Sequence, residues 1–83
     1  MTFVYILISE SNPSKTYVGK TTDLKKRLAE HNRGEDSYVS QFSPWKIETS
    51  IAFSNEALAT VFEKYLKSGS GFAFMKKRLL SKT

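Results

Sequence analysis

The chain has 83 residues, 40% of them hydrophobic and 13% aromatic, enough for one small core and too few for two, which excludes a disordered segment and predicts a single domain over 1–83. It has no cysteine, which removes disulfides, thiolate zinc sites and cysteine nucleophiles together and fits a reducing compartment, the cytoplasm. The net charge of +5 is one-sided: seven basic and eight acidic residues through Glu63, then six basic residues (Lys64, Lys67, Lys76, Lys77, Arg78, Lys82) and no acid, a distribution that suits a polyanion or a solvated helix face.

Phe3 to Ser9 is rich in Val, Ile and aromatics with apolar residues on both parities, which predicts a central strand covered on both faces. Its apolar run, Phe3 to Ile8, is about a third of a membrane span and follows no basic region, so neither a membrane segment nor a signal peptide is expected. Ser11-Asn12-Pro13-Ser14 reads as a turn, and Lys15 to Lys20 as a second strand in an antiparallel hairpin. Gly19 closes that strand, where a positive backbone angle or a close approach by another group is the usual reason for glycine. Thr21 or Thr22 is positioned to cap a helix from Asp23 to His31, with Leu24 and Leu28 inward and Gly34 as a left-handed cap.

Glu35 to Ser43 shows no clear period and is read as loop or a short helical turn. Pro44-Trp45 opens a third strand, Lys46 to Phe53, where Trp45, Ile47, Thr49 and Ile51 alternate with Lys46, Glu48 and Ser50, implying one wet face. Ser54 or Asn55 begins a helix over Glu56 to Lys67 with a wide apolar stripe of Leu58, Val61, Phe62, Tyr65 and Leu66. Ser68-Gly69-Ser70-Gly71 stops it. A last helix, Phe72 to Ser81, is expected to bury Phe72, Met75, Leu79 and Leu80 and turn Lys76, Lys77 and Arg78 outward. The expected class is α+β: a small three-stranded antiparallel sheet flanked by about three helices in the order β-β-α-β-α-α.

Two strands each deliver a tyrosine, Tyr5 and Tyr17, and the first helix carries Arg27 and His31 on one face, four residues apart. A site of this kind needs a carboxylate to hold a metal. Most acids have a bland place in polar connections (Glu10, Glu35, Asp36), at helix starts (Asp23, Glu56) or on the wet face of a strand (Glu48). Glu63 lies inside the second helix on the border of its apolar stripe, where a charge needs a partner. It is equally placed for a surface pair with Lys67 at i+4. The bland readings of the others stay beside it: strand tyrosines with hydroxyls at the rim, Arg27 pairing Asp23, His31 answering a helix dipole.

Together these residues resemble the GIY-YIG nuclease superfamily. The first motif stands here as Phe3-Val4-Tyr5, without the family's glycine, and the second as Tyr17-Val18-Gly19. Lys20 to Leu28 is similar to the segment after the second motif in small bacterial members and in the nuclease domain of the excision-repair endonuclease. Ala29 to Asn32 continues it, Pro44-Trp45-Lys46 resembles the start of the third strand, and Phe62 to Lys67 matches the helix with the metal-binding glutamate. The match covers essentially the whole chain; each motif is weak alone, and their order and spacing are specific.

The resemblance implies a metal-dependent endonuclease that hydrolyses phosphodiester bonds in DNA, including structured or damaged DNA of repair or recombination. Glu63 would bind a single Mg2+ or Mn2+, Tyr5 would act on the attacking water as general base or orient it, and Tyr17 would assist. Arg27 would hold the scissile phosphate, His31 would support proton movement, and Lys20 would add a phosphate contact. Lys76, Lys77 and Arg78 are the further substrate-binding candidates, for nucleic acid and for DNA over RNA. Phe72 stands where similar small members carry arginine, which removes one phosphate contact. Two other readings compete: a non-catalytic nucleic-acid-binding module on the same fold, and an interaction protein whose basic helix meets an acidic partner. With a single domain expected, either the bare fold would recognise a DNA shape or a partner protein would supply specificity.

Overall fold

The computed structural model describes residues 1–34 and 37–80, with the backbone alone for Ser37 and Tyr38. Glu35 and Asp36, the end of the last helix at Ser81, and Lys82 lie outside the described residues. The elements run β1 (Thr2–Ser9), β2 (Thr16–Thr21), α1 (Leu24–Asn32), α2 (Ser37–Ser40), β3 (Trp45–Phe53), α3 (Glu56–Leu66) and α4 (Gly69–Arg78). This is the expected order, with α2 as the short helical turn of the unpatterned stretch. The strands form one antiparallel sheet in the order β2-β1-β3, so β1 is central.

Centrality explains the double apolar parity of β1. Val4 and Ile6 face α3 and α4 and are buried with Ala59, Leu66 and Met75. Tyr5 and Leu7 face the other way and are buried with Val39 and Trp45, flanked by Leu24 and Leu28 of α1. Two thin cores thus lie on either side of one sheet, and any side chain of β1 reports the face it serves.

The even alternation expected along β3 fails, for an identifiable reason. The β1–β3 register slips between Ile6↔Thr49 and Leu7↔Ile47, which leaves Glu48 as an extra residue in a bulge. A one-residue insertion flips the faces beyond it. Trp45 and Ile47 therefore join the core with Tyr5, whereas Thr49 and Phe53 lie on the α3/α4 side, where the Thr49 hydroxyl donates to the Leu79 carbonyl. Asn32 secures the start of β3: its Oδ1 accepts from the Trp45 amide at 2.6 Å and its amide donates to the Trp45 carbonyl at 3.1 Å.

The cap of α1 and the registers of the last two helices differ from expectation, while the cap of α3 and the left-handed glycine are as expected. Asp23, not a threonine, caps α1, its Oδ1 accepting from the Lys26 amide at 3.1 Å. Asn55 caps α3 in the same way, and Gly34 takes the expected left-handed conformation at φ 74°. The wide stripe of α3 narrows to Ala59, Phe62 and Leu66, while Leu58, Val61 and Tyr65 are exposed. The segment Ser68 to Gly71 does not separate two helices by a loop, because Ser68 caps α4 and Gly69 already belongs to it. Gly71 lies against the backbone of α3, where a Cβ would sit 1.6 Å from the Tyr65 carbonyl oxygen. That contact sets the register of α4: Gly71, Met75 and Leu79 turn inward, and Phe72, expected in the core, is 47% exposed.

Candidate active site

Tyr5 and Gly19 are direct partners across β1 and β2. The Tyr5 ring lies over the glycine, where a Cβ would stand 2.4 Å from the phenol oxygen and 2.6 Å from Cζ. Of the two expected reasons for Gly19, close approach is therefore the operative one, and the residue lies inside β2 rather than at its end. Tyr17 faces the same side two pairs along, opposite Leu7, its ring 6.4 Å from that of Tyr5 and inclined by 23°.

Helix α1 covers these rings and brings His31 and Arg27. His31 is buried, its Nε2 is 3.2 Å from the Tyr5 hydroxyl, and its ring meets Tyr17 edge-on at 4.5 Å. Arg27 is half-buried and faces the Tyr5 phenol, and its Nη1 donates to Glu30 Oε1 at 3.0 Å. Asp23, the alternative partner for Arg27, is occupied as the helix cap. Glu30 was not among the residues singled out from the sequence; its spacing of three from Arg27 was the available signal.

Burial raises the Tyr5 phenol above the ordinary tyrosine value, because the phenolate would lose its hydration. Arg27 opposes that shift through its hydrogen bond and charge, while the Tyr17 phenol and the Glu63 carboxylate add to it. Arg27 is itself held above its ordinary value by its bonds to Glu30 and Tyr5. At neutral pH the pair is a neutral phenol beside a fixed cation.

Glu63 and Lys20 approach from the other face. Lys20 pairs with Val4, not with Tyr5, and its Nζ donates to Thr60 Oγ1 of α3 at 2.7 Å, with Glu56 at 3.8 Å. The Glu63 side chain is 19% exposed and accepts from Lys67 Nζ at 3.0 Å, the i+4 pair that its spacing allowed. Because α3 and α1 lie on opposite faces of the sheet, the carboxylate approaches the phenols from the side opposite Arg27 and His31. Its charge is felt at Tyr5. The structure thus brings Tyr5, Tyr17, Arg27 and His31 into contact and sets Glu63 near them across β2. Lys76, Lys77 and Arg78 are exposed on the last turn of α4, a different element from those that carry the rings.

A polar depression of about 330 Å³ opens beside Arg27, lined by Thr21, Thr22, Asp23, Lys26, Arg27 and Glu30. Among the described residues no three His, Cys, Asp or Glu side chains converge to form a metal cage. A lone half-buried carboxylate fits an ion of the magnesium type, which binds through one or two carboxylates and keeps several waters. No described helix is long and apolar enough to cross a membrane.

Comparison with known proteins gives the geometry its context. The chain is similar to the UPF0213 protein YsiG of Lactococcus lactis subsp. lactis (strain IL1403), 39% identical over 66 residues that are 78% of this chain and 62% of the relative. It is 38% identical over 66 residues to a UPF0213 protein of Lactococcus lactis subsp. cremoris (strain SK11), covering 78% and 65%. To the UPF0213 protein SpyM50708 of Streptococcus pyogenes serotype M5 (strain Manfredo) it is 32% identical over 74 residues, covering 89% and 72%. The chain therefore spans less than two thirds of the length of the two Lactococcus relatives. No solved structure matches it at comparable significance. The model of the GIY-YIG catalytic domain matches residues 1–78, and with Tyr5, Tyr17, Arg27 and His31 gathered on one face of its sheet, the chain belongs to the GIY-YIG family.

Proposed function

We propose that the domain is a divalent-metal-dependent endonuclease that hydrolyses phosphodiester bonds in DNA, with Tyr5, Tyr17, Arg27, His31 and Glu63 as its working residues. One observation carries this reading: the Tyr5 hydroxyl is hydrogen-bonded to His31 Nε2 at 3.2 Å while facing the guanidinium of Arg27. A phenol raised above its ordinary value is a poor base by itself. Coupled to an imidazole it works as a relay: Tyr5 takes a proton from the attacking water as it passes its own to Nε2, with the resting imidazole proton on Nδ1.

Arg27 binds the scissile phosphate and stabilises the charge that develops on it, a task for a planar cation that does not deprotonate. The depression beside it, with Lys26 on its rim, accommodates the adjoining backbone. Tyr17 packs edge-on against the imidazole and positions it. Glu63 would hold the divalent ion, Mg2+ or Mn2+, which supplies charge neutralisation at the phosphate when bound. Lys20 lies on the same side as Glu63 and adds a phosphate contact.

The test is incubation of the purified protein with magnesium or manganese and a panel of duplex, flap and branched DNAs, with and without chelator, beside Glu63→Ala and Arg27→Ala. Wild type should nick at least one substrate and stop on chelation. Both variants should fold and lose cleavage by roughly 10²-fold or more. Binding without cleavage across the panel would instead identify a non-catalytic nucleic-acid-binding module.

A further inference from the structure

The exposed ring of Phe72 stands next to the candidate site. A groove of about 280 Å³ along the edge of the sheet is lined by Tyr17 and Val18 of β2, by Lys67, and by Phe72 and Met75 of α4. A second hollow of about 200 Å³ continues it and is lined by Pro13, Ser14, Phe72, Lys76 and Leu80. Both are bordered by Thr16 and Phe72, so they form one furrow from Tyr17 to Lys76 with the Phe72 ring in its middle. Lys76, four residues on, lies over that ring at 5.4 Å from its centroid.

The chemistry of the furrow selects its occupant. Lys76 sits over the aromatic face, Lys67 lines the groove beside it while holding Glu63 at 3.0 Å, and the sequence holds no acid after Glu63. Cations beside an exposed aromatic ring are the elements of a single-strand binding groove: phosphates pair with lysines while a base stacks on the ring. A duplex offers no such base, since each is covered by its neighbours on both faces. The start of the furrow at Tyr17 makes it continuous with the phenol cluster.

We infer that Phe72 is a stacking platform for an unpaired base of the DNA, with Lys67 and Lys76 on its phosphates, and that the substrate class is DNA with a single-stranded segment next to the cleaved bond. This rests on the nuclease reading for its substrate, and names the substrate's form. Phe72 is a specificity-determining residue and takes no part in bond breaking.

The experiment reads binding by fluorescence anisotropy in chelator, where no cleavage occurs. Three labelled probes are used: a duplex with an oligothymidine extension, the same duplex blunt, and the extended duplex with abasic residues throughout the extension. Wild type should prefer the extension to both other probes. Phe72→Ala should lose roughly 5- to 150-fold on the extended probe and little on the blunt one, while Phe72→Trp retains the preference. Equal affinity of wild type for the thymidine and abasic extensions overturns the inference, and that comparison needs no variant to fold. So does a Phe72→Ala protein that binds all probes like wild type, or a wild type that binds none of them. Cleavage is then scored separately with manganese. A wild type that shows base-dependent binding without cleavage refutes the nuclease reading and leaves the platform standing. One that cleaves extended and blunt DNA alike, with or without Phe72, does the reverse.

Discussion

Gly19→Ala tests the central contact of the candidate site at a single atom. The added Cβ would stand 2.4 Å from the Tyr5 hydroxyl and 3.1 Å from Tyr17 Cε1, whereas ordinary contact begins at 3.4 Å. The Tyr5 ring must therefore move by about 1 Å, and it is a rigid plane only 2% exposed, held at its far end by His31. Overpacking of this kind costs about 1–3 kcal/mol, and alanine in place of glycine inside a strand returns about 0.5–1 kcal/mol of that. The net loss is about 1 kcal/mol, or roughly 4–8 °C in Tm for a domain of this size. A 1 Å misplacement of a reacting group costs roughly 10²-fold in rate, so cleavage should fall far more than stability. Thermal melting and initial nicking rates on one DNA substrate measure the two separately. A Gly19→Ala protein that melts and cleaves like wild type would refute both the fixed placement of the phenol and its part in the reaction.

Two further outcomes follow from the same packing. Gly71→Ala places a Cβ 1.6 Å from the Tyr65 carbonyl oxygen and 2.9 Å from Leu66 Cα, both backbone atoms that cannot rotate aside. The α3–α4 contact must open over Leu66 and Met75, at about 3 kcal/mol or more, and a Tm within about 4 °C of wild type would contradict it. The raised phenol of Tyr5 also makes a pH prediction: its folded value lies above the unfolded one, so its contribution to stability is complete below about pH 10 and is lost as pH rises through the folded value. Melting curves from pH 8 upward should fall more steeply above pH 10 for wild type than for Tyr5→Phe, and parallel curves would remove the buried phenol as their cause.

Much of the architecture was legible because its signals are local. The double apolar parity of β1 requires cover on both faces, and that places it at the centre of a three-stranded sheet. The spacing of Arg27 and His31 puts both on one side of α1, and both meet Tyr5 there. Other features depend on partners distant in the chain. The alternation of β3 is even in sequence, yet the bulge at Glu48 divides it between two cores, since register is set by what β1 offers opposite. Phe72 has the periodicity of a core residue, and the fit of Gly71 against Tyr65 rotates it out to solvent.

The order of residues by itself determined the elements, the family to which they belong and the side chains that carry charge and aromatic rings, because each follows from covalent neighbours and short-range periodicity. Tertiary structure alone decided that Tyr5 and His31 touch, that Glu63 reaches their neighbourhood from the opposite side of the sheet, and that Phe72 faces a furrow. The first and last of these depend on how closely the Tyr5 ring can lie over Gly19 and the backbone of α3 can approach Gly71, a steric condition between segments that no local pattern records.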